Sequence, residues 1–476
     1  MQPLKKTLGL VLALMLLSLP AFAGQPKYVF YLIGDGLGAS QRQFSEFFIR
    51  EKQQNPAQEL LMNTFEVAGI NTTYAANTLI TDSAAAGTAL ASGIKTNKGV
   101  IGMTPDGKKV KTLIEAAEAK GMATGIITTT RLTHATPAAF AAHNMSRNNE
   151  NEIAEDFVTS DVDFFAGGGI RHFIPQARKI ENGDAVGKTI KSKRKDDKDL
   201  VADFEAKGYQ TFIGMPGAKG FVSQDFSKLD KVFAAFTYTH LPYEIERINK
   251  YNDVPSLAKM TRAGIEVLKK DNDGFFLMVE AGRIDHAAHA NDPTGVIYDT
   301  IAFDQAIKEA YEFYKQHPEE TLIIVVGDHE TGGMGLGMDS MGYKLDLKSL
   351  MATRISVEDT LSYGSGQYKG DKEGYLSLLS EEFGLANLSN AEAARLQKAM
   401  ADADAGKTMG YYKVNPAALT AAHILSERAN INWTTTIHTA TMIPMSATGV
   451  SAQRFSGFKD NTEIAQTMAE LLQFNL

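Results

Sequence analysis

Short apolar runs alternate with longer amphipathic segments along most of this chain. The run "KYVFYLI" at residues 27–33 is rich in aromatic and β-branched side chains and stops at a glycine, as buried strands do. Comparable runs predict strands at "ATGIITTT", residues 162–166, "GFFLMVEAG" and "TLIIVVGDHETGG". Helical spacing of apolar residues predicts helices over 81–91, 110–120, 256–270 and 296–316. The alternation indicates an α/β fold, with a large and mostly parallel central sheet sandwiched by helices.

Two segments interrupt this alternation. Residues 177–235 include the lysine-rich stretch "KSKRKDDKD", which is most simply a solvated surface patch. Residues 338–433 contain two polar helical patterns, at 390–405 and 417–429, and the loop "SYGSGQYKG". We expect one catalytic domain at 24–476, with the segment at about 338–433 inserted as a cap subdomain that lies at a dimer interface.

The first 23 residues have the pattern of an export signal. Two lysines precede an apolar stretch at 8–17, and "AFA" at 21–23 is a small-residue cleavage site. The apolar stretch is shorter than the roughly 20 residues that span a bilayer. The pattern therefore predicts a periplasmic or secreted protein without a membrane span in its mature form, and a retained N-terminal anchor is the alternative.

The amino-acid composition limits which partners the protein can bind and which interactions can stabilise its fold. The chain has 476 residues, no cysteine and a net charge of −8 at pH 7. Its stability must come from a core, with bound metal as a further source, because disulfides are impossible. The acidic balance argues against nucleic acid as a partner, but a local site can still attract a small anion.

Acidic and histidine residues follow several of the predicted strands. Ligands of such sheets bind beyond the carboxyl ends of the strands, so these residues are expected to share one edge. In chain order they are Asp35, His134 with Thr136, Glu280 followed by Asp285 and His289, Asp328 with His329, and finally His438. Mixed carboxylate and imidazole ligands suit zinc, whereas carboxylates with a hydroxyl suit magnesium. Together they predict a site for several metal ions.

Each of these motifs has an ordinary structural interpretation when it is taken alone. The pair Asp285 and His289 is spaced for one helical face, as zinc-binding helices require, but exposed pairs of this kind are common. A single histidine such as His438 is more often structural. Residues 34–39 also fit the dinucleotide-binding pattern G-x-G-x-x-A. That alternative is disfavoured because Asp35 would place a negative charge where a pyrophosphate must approach.

The stretch "TLITDSAAAGTALASG" at 78–93 has two interpretations. Its alanine-rich part is typical of a packing helix. A helix that starts near Ser83 would instead point backbone N–H groups at that residue, which makes an anion site. A metal ion on the serine oxygen would deprotonate it and create a nucleophile. Asp82 is interpreted as a helix cap or a supporting residue rather than a ligand.

Taken together, the motifs resemble those of the alkaline phosphatase family. "ITDSAAAGT" is similar to the nucleophile signature of that family, and "IGDG", "THATPAAFAAH", "VEAGRIDHAAHAND", "VVGDHETGG" and "IHTA" follow in the family's order. The similarity extends from about residue 27 to the C-terminus. The resemblance implies a phosphomonoesterase with an alkaline optimum, two zinc ions and one magnesium ion, which acts on small phosphate monoesters as a homodimer.

The resemblance also implies a role for each residue. Ser83 would form a phosphoserine, and Arg147, which the pattern alone would leave on the surface, would hold the phosphate. The first zinc, which stabilises the leaving alkoxide, would be bound by Asp285, His289 and His438. The second zinc would be bound by Asp35, Asp328, His329 and Ser83, and magnesium by Asp35, Thr136 and Glu280.

Some features depart from the family pattern. His134 stands where some members have aspartate, so the metal at the third site is open. Many bacterial members carry disulfides, which this chain cannot form. Other functions also stay open, namely a phosphodiesterase or sulfatase of the same superfamily, and a periplasmic metal-binding protein without turnover.

Overall fold

The computed structural model describes residues 24–476, and the predicted export signal at 1–23 lies outside them. A ten-stranded sheet forms the centre of the described chain. From one edge to the other, its strands are Gly457–Lys459, Val67–Asn71, Ile443–Gly449, Thr321–Gly327, Tyr28–Gly34, Phe275–Ala281, Ala123–Arg131, Phe164–Gly168, Val232–Ala235 and Gln210–Ile213.

The strand Tyr28–Gly34 lies in the interior of this sheet, and all of its residues are buried. It pairs in parallel with Phe275–Ala281 on one side and with Thr321–Gly327 on the other. The strands from Thr321–Gly327 to Gln210–Ile213 run parallel to one another, whereas Ile443–Gly449 is antiparallel to both strands beside it. The predicted α/β class with a mostly parallel sheet is therefore confirmed.

Helices cover both faces of the sheet. Along the central strand, Phe30 and Leu32 pack into one apolar core, while Val29 and Tyr31 pack into the other. This division follows from the alternation of side chains along a strand. The α-helices are Ala39–Gln53, Ser83–Ser92, Leu113–Glu118, Ala135–Ala141, Glu150–Thr159, Leu200–Ala206, Gly214–Ser223, Glu244–Asn249, Leu257–Leu268, Arg283–His289, Pro293–Tyr314, Lys372–Glu382, Asn390–Asp404, Pro416–Arg428 and Asn461–Leu472.

Local hydrogen bonds explain where the observed elements differ from the predicted ones. The helix predicted over 110–120 spans only Leu113–Glu118, because a capping box between Thr112 and Glu115 sets its start. The strand predicted at 162–166 is found at Phe164–Gly168. The prediction of a solvated patch at "KSKRKDDKD" is wrong for Arg194, whose buried guanidinium pairs with Glu155 and Asp196.

The segment 338–433 contains three of the α-helices and a π-helical turn at Val357–Ser362. Its two ends meet where the short strands Met334–Leu336 and Ile431–Trp433 pair. Buried residues of the segment, such as Leu361 and Leu425, belong to the same apolar core as Phe30. Two further short pairs join Glu330–Thr331 to His438–Thr439 and Lys179–Ile180 to Ile190–Lys191. Within residues 24–476, no helix has both the length and the apolarity to cross a membrane.

Candidate active site

Strand register brings the predicted acidic residues together at one edge of the sheet. Gly34 is paired with Gly327, so Asp35 and Asp328 leave neighbouring strands at the same level. Glu280 is paired with Ile33 on one side and with Thr128 on the other. Asp35, Asp328 and Glu280 are all buried. The predicted convergence at the carboxyl ends of the strands is therefore observed.

Gly36 allows the helix Arg283–His289 to approach this edge. Its φ of +71° lies in the left-handed region, and a Cβ atom placed there would stand 2.7 Å from Cα of Asp285. Its N–H donates to Oδ1 of Asp328 at 3.1 Å. Glycine is required at position 36, because only glycine adopts this φ without strain and leaves room for Asp285 beside the turn.

Asp285, His289 and His438 form the first cluster of candidate ligands, and their ligand atoms lie within 4.8 Å of one another. Asp285 and His289 share one face of their helix, with Oδ1 and Nε2 3.3 Å apart. The other ring nitrogen of each histidine faces a carbonyl. Nδ1 of His289 lies 2.7 Å from the Thr436 oxygen, and Nδ1 of His438 lies 2.9 Å from the Thr81 oxygen. These contacts leave both Nε2 atoms facing the cluster.

The second cluster consists of Asp35, Asp285 and His329. Nε2 of His329 lies 3.4 Å from Oδ1 of Asp35. The resemblance assigned Asp328 rather than Asp285 to this cluster. Asp328 is adjacent, since its Oδ2 atom lies 3.2 Å from the same Nε2 atom. Asp285 thus lies between the two clusters, which brings them into direct contact.

Asp35, Glu280 and His134 form the third cluster. Thr136 lies beside it, with Oγ1 3.5 Å from Oδ2 of Asp35. One oxygen of Glu280 accepts hydrogen bonds from the hydroxyls of Thr128 and Thr130. All members of this cluster are buried. A cation here would meet two carboxylates, a hydroxyl and an imidazole.

The protonation behaviour of the clusters fits the binding of cations. Burial, together with the charges of Asp328 and Asp285, raises the pKa of Asp35 well above its usual value. Burial likewise raises the pKa of Asp328 well above its usual value and that of Glu280 to about 7. In the described chain, Oδ1 of Asp35, Oδ2 of Asp328 and Oε1 of Glu280 have no hydrogen-bond partner. Buried carboxylate oxygens of this kind need a counter-charge, and a divalent cation supplies one.

Ser83 is the first residue of a fully buried helix, Ser83–Ser92. Asp82 caps the helix by accepting a hydrogen bond from the Ala85 N–H at 3.1 Å, so its predicted capping role is confirmed. Oγ of Ser83 lies 3.2 Å from Nε2 of His329. The serine hydroxyl thus lies directly beside the second cluster.

Arg147 lies within the site rather than on the outer surface. Its Nη1 atom donates to Oδ2 of Asp82 at 3.0 Å, and Nη2 lies 3.1 Å from Nε2 of His134. Burial acts to lower the pKa of Arg147, but the charge of Asp82 outweighs it, so the pKa is raised and the group stays cationic. A permanent cation paired with Asp82, the residue before Ser83, is suited to hold a dianionic group.

Several residues of the site carry no recognisable signal in the sequence. Thr331 donates a hydrogen bond to Asp285 at 2.5 Å, and its only signal in the sequence is its position within the motif "VVGDHETGG". His286, which lies between Asp285 and His289 in the sequence, bonds to Arg283 and packs at ring distances of 5.5 Å and 4.3 Å from His134 and His240. Only the tertiary fold places His240 here.

A cleft of about 880 Å³ opens from this edge of the sheet. Its inner wall includes Arg147, His134 and His438, and its mouth is lined by Ile80, Met145, Tyr363, Tyr411, Tyr412 and Ile437. A cleft lined by Arg147 and by the ring nitrogens of His289 and His438 is suited to a small anionic substrate. An α/β sheet with these groups at its carboxyl edge defines the class of metal-dependent hydrolases.

Comparison with known proteins identifies the family to which this chain belongs. The family model "Alkaline phosphatase" matches residues 26–474. Alkaline phosphatase 3 of Bacillus subtilis (strain 168) is 33% identical over 460 residues, which cover 94% of this chain and 90% of that protein. The chain therefore belongs to the alkaline phosphatase family, and it is an enzyme that hydrolyses phosphate monoesters.

Solved structures support the same conclusion. The alkaline phosphatase of Thermus thermophilus superposes with a TM-score of 0.79 at 29% identity, over 95% of this chain and 92% of that one. A variant of the alkaline phosphatase of the Antarctic bacterium TAB5, with histidine replaced by aspartate and Mg bound in its M3 site, gives 0.64 at 27% identity. That match covers 95% of this chain and 99% of the other. Membership of the family implies that divalent metal ions take part in the reaction.

Proposed function

We propose that this protein is an exported phosphomonoesterase that depends on two zinc ions and one magnesium ion and acts through a phosphoserine at Ser83. The observation that carries the proposal is the contact between Ser83 and His329, because it places a serine hydroxyl against a cluster of buried ligands. A buried serine at a helix N-terminus is otherwise a weak nucleophile near neutral pH.

The three clusters suggest how the metal ions are held. Asp285, His289 and His438 would hold the first zinc ion. Asp35, Asp328 and His329 would hold the second, with Ser83 as a further contact. Magnesium would be held by Asp35, Thr136 and Glu280. The oxygens of Asp35, Asp328 and Glu280 that have no hydrogen-bond partner in the described chain support these assignments, because each belongs to a residue in or beside a cluster.

The chain's own residues would act in sequence on the substrate. Arg147 would bind two phosphate oxygens and orient the phosphorus atom toward Oγ of Ser83. Oγ would attack in line, the ester bond to the alcohol would break, and water would later hydrolyse the phosphoserine to serine and inorganic phosphate. When bound, the zinc ions would supply Lewis-acid stabilisation of the attacking and leaving oxygens. Because nucleophile and water must both lose a proton, an alkaline optimum is expected.

His134 bears on which metal occupies the third site. Its Nε2 atom bonds to Arg147, while its Nδ1 atom is buried and has no hydrogen-bond partner among residues 24–476. Burial and the charge of Arg147 lower the pKa of His134 well below its usual value, so the ring is neutral and able to bind a metal ion. The TAB5 variant with Mg in its M3 site has aspartate in place of a histidine. We propose that His134 lowers the affinity of the third site for magnesium, so that a higher magnesium concentration is needed to fill it.

The proposal extends to assembly and location. The segment 338–433 would act as a cap, which is supported by the positions of Tyr363, Tyr411 and Tyr412 at the mouth of the cleft. A homodimer is proposed, with this segment near the interface. Export through the signal at 1–23 would deliver a mature chain that begins near Gly24 to the periplasm or the medium.

The test is hydrolysis of p-nitrophenyl phosphate before and after chelation, with zinc and magnesium returned separately and then together. Full activity should return only with both ions. Ser83→Ala should lose activity by several orders of magnitude, whereas Ser92→Ala, in the same helix, should keep it. Mass spectrometry after an acid quench should find phosphate on Ser83. A Ser83→Ala enzyme with wild-type activity would refute the mechanism, and faster turnover of bis-p-nitrophenyl phosphate would favour a diesterase.

A further inference from the structure

Three tyrosines stand at the mouth of the cleft with much of their surface exposed. The exposed fractions are 54% for Tyr363, 65% for Tyr411 and 48% for Tyr412. A cluster of exposed aromatic side chains beside a cleft is typical of a surface that binds a ligand or partner. The tyrosines belong to the same cleft as Arg147 and His438, so their surface is continuous with the phosphate site.

Hydrogen bonds hold these tyrosines in place. The turn that carries Tyr411 and Tyr412 is closed by two backbone hydrogen bonds between Met409 and Val414, at 2.8 and 2.9 Å. The hydroxyl of Tyr363 donates to the Tyr412 carbonyl oxygen at 2.7 Å. The aromatic surface is therefore built into the frame of the cleft.

The same turn is connected to the first ligand cluster through Thr436. The Tyr411 N–H donates to the Thr436 hydroxyl at 3.1 Å, and the Thr436 carbonyl oxygen faces Nδ1 of His289 at 2.7 Å. The ring of Tyr412 packs edge-on against that of His289, with centroids 4.3 Å apart. In the proposed function His289 lies on the side where the alcohol leaves, so the tyrosines border the path of the leaving group.

The surroundings of the tyrosines favour a flat and partly apolar group. Ile80, Met145 and Ile437 are exposed by 40%, 49% and 37% and line the same cleft. Asn77 and Asn148 add hydrogen-bonding groups to its wall. A purely polar leaving group would leave the apolar surface uncovered, whereas a ring can stack on a tyrosine and bury it.

We propose that Tyr411 and Tyr412 form a stacking subsite for a planar aromatic leaving group, so that nucleoside monophosphates are preferred over phosphate esters of simple sugars. The proposal rests on the proposed function, because it uses the same phosphate site and the same leaving side. Tyr412 contacts the group nearest the ester oxygen, and Tyr411 contacts the more distant ring.

The test compares adenosine 5′-monophosphate with ribose 5-phosphate, because the two share the same ester bond and differ in the base. In the metal-loaded wild-type enzyme, kcat/KM should be higher for the nucleotide. Tyr411→Ala should lower kcat/KM about tenfold for the nucleotide and less than twofold for the sugar phosphate. Tyr411→Phe should keep the preference, since stacking does not need the hydroxyl. Tyr343→Ala, at an exposed tyrosine outside this cleft, is the matched control.

Each contrary result has a distinct meaning. An equal loss with both substrates, or no loss with the nucleotide, would overturn the stacking subsite. A changed molar mass of Tyr411→Ala in light scattering would also overturn it, because a second copy of the chain would then be what covers the tyrosines. If the wild-type enzyme hydrolysed neither substrate, the proposed function itself would fail.

Discussion

Arg147 and Asp82 form an ion pair at the N-terminus of the buried helix Ser83–Ser92. Nη1 of Arg147 lies 3.0 Å from Oδ2 of Asp82, and the side chain of Asp82 is only 6% exposed. The other carboxylate oxygen of Asp82 accepts from the N–H groups of Ala85 and Gly99. One aspartate therefore fixes both the start of the helix and the direction of the arginine.

This double role predicts two separable effects of substitution. Asp82→Ala should lower stability by about 1 kcal/mol through loss of the helix cap. It should also weaken inhibition by inorganic phosphate about fivefold, because Arg147 must then be ordered each time phosphate binds. Asp82→Ser is the matched variant, since serine can cap the helix but cannot pair with Arg147. It should keep the melting temperature and still show the weaker inhibition, and equal phosphate inhibition in all three proteins would contradict this role.

Gly36 should be more sensitive to alanine than glycines with similar backbone angles. Gly36→Ala would push Asp285 away, because the added Cβ would stand 2.7 Å from its Cα. We expect at least a hundredfold loss of phosphatase activity and loss of bound zinc by elemental analysis. Gly208→Ala has a comparable φ, +87°, with nothing within 4 Å of the added Cβ. It should cost about 1 kcal/mol of stability without loss of zinc or activity, and a similar zinc content in both variants would count against the close-packing argument.

Removal of metal should destabilise the folded chain. Asp35, Asp328 and Glu280 are buried together, and burial and neighbouring carboxylates raise the pKa of each, so their charged forms are disfavoured without a counter-charge. At ligand concentrations 100 times the dissociation constant, binding adds about 2.7 kcal/mol of stability per site. Thermal unfolding should therefore shift to lower temperature in EDTA and recover with zinc and magnesium. An unchanged melting temperature in verified metal-free protein would argue against cations at these carboxylates.

Glu118 gives a pH dependence that is independent of the site. Burial, followed by the charge of Asp161, raises the pKa of Glu118 to about 7. The folded chain thus keeps a proton that the unfolded chain releases near its ordinary pKa, so stability falls as pH rises from about 4.5 to 7. Glu118→Gln removes this ionisation. Allowing for partial solvent screening, it should be about 1–2 kcal/mol more stable than wild type at pH 8.

The control for this prediction is the same comparison at pH 4, where Glu118 is protonated in both states. Urea unfolding followed by circular dichroism should then give similar free energies of unfolding for Glu118→Gln and wild type. A stabilisation of the same size at both pH values would show that the gain comes from packing or hydrogen bonding rather than from ionisation.

The sequence predicted the parts of the site that local chemistry determines. Asp35 and Asp328 follow apolar strands, and the spacing of Asp285 and His289 fits one helical face. To predict these features, it is enough to know the type of sheet and the helical repeat. The pattern alone left Arg147 on the surface, because its pairing with Asp82 depends on how a loop folds back over another helix. Tyr412 was missed for the same reason, since its contact with His289 depends on the path of the 338–433 segment.

The order of strands in the sheet has a consequence for biogenesis. The strand Tyr28–Gly34 is made early, yet its partners are Phe275–Ala281 and Thr321–Gly327. Contacts so distant in sequence form slowly, because the entropic cost of closing a long loop comes before the contacts stabilise the chain. The first cluster also waits for His438, near the end of the chain. If His438 is a ligand as proposed, a polypeptide that has not reached it would lack part of the first site, and metal capture would mark chains that have finished folding.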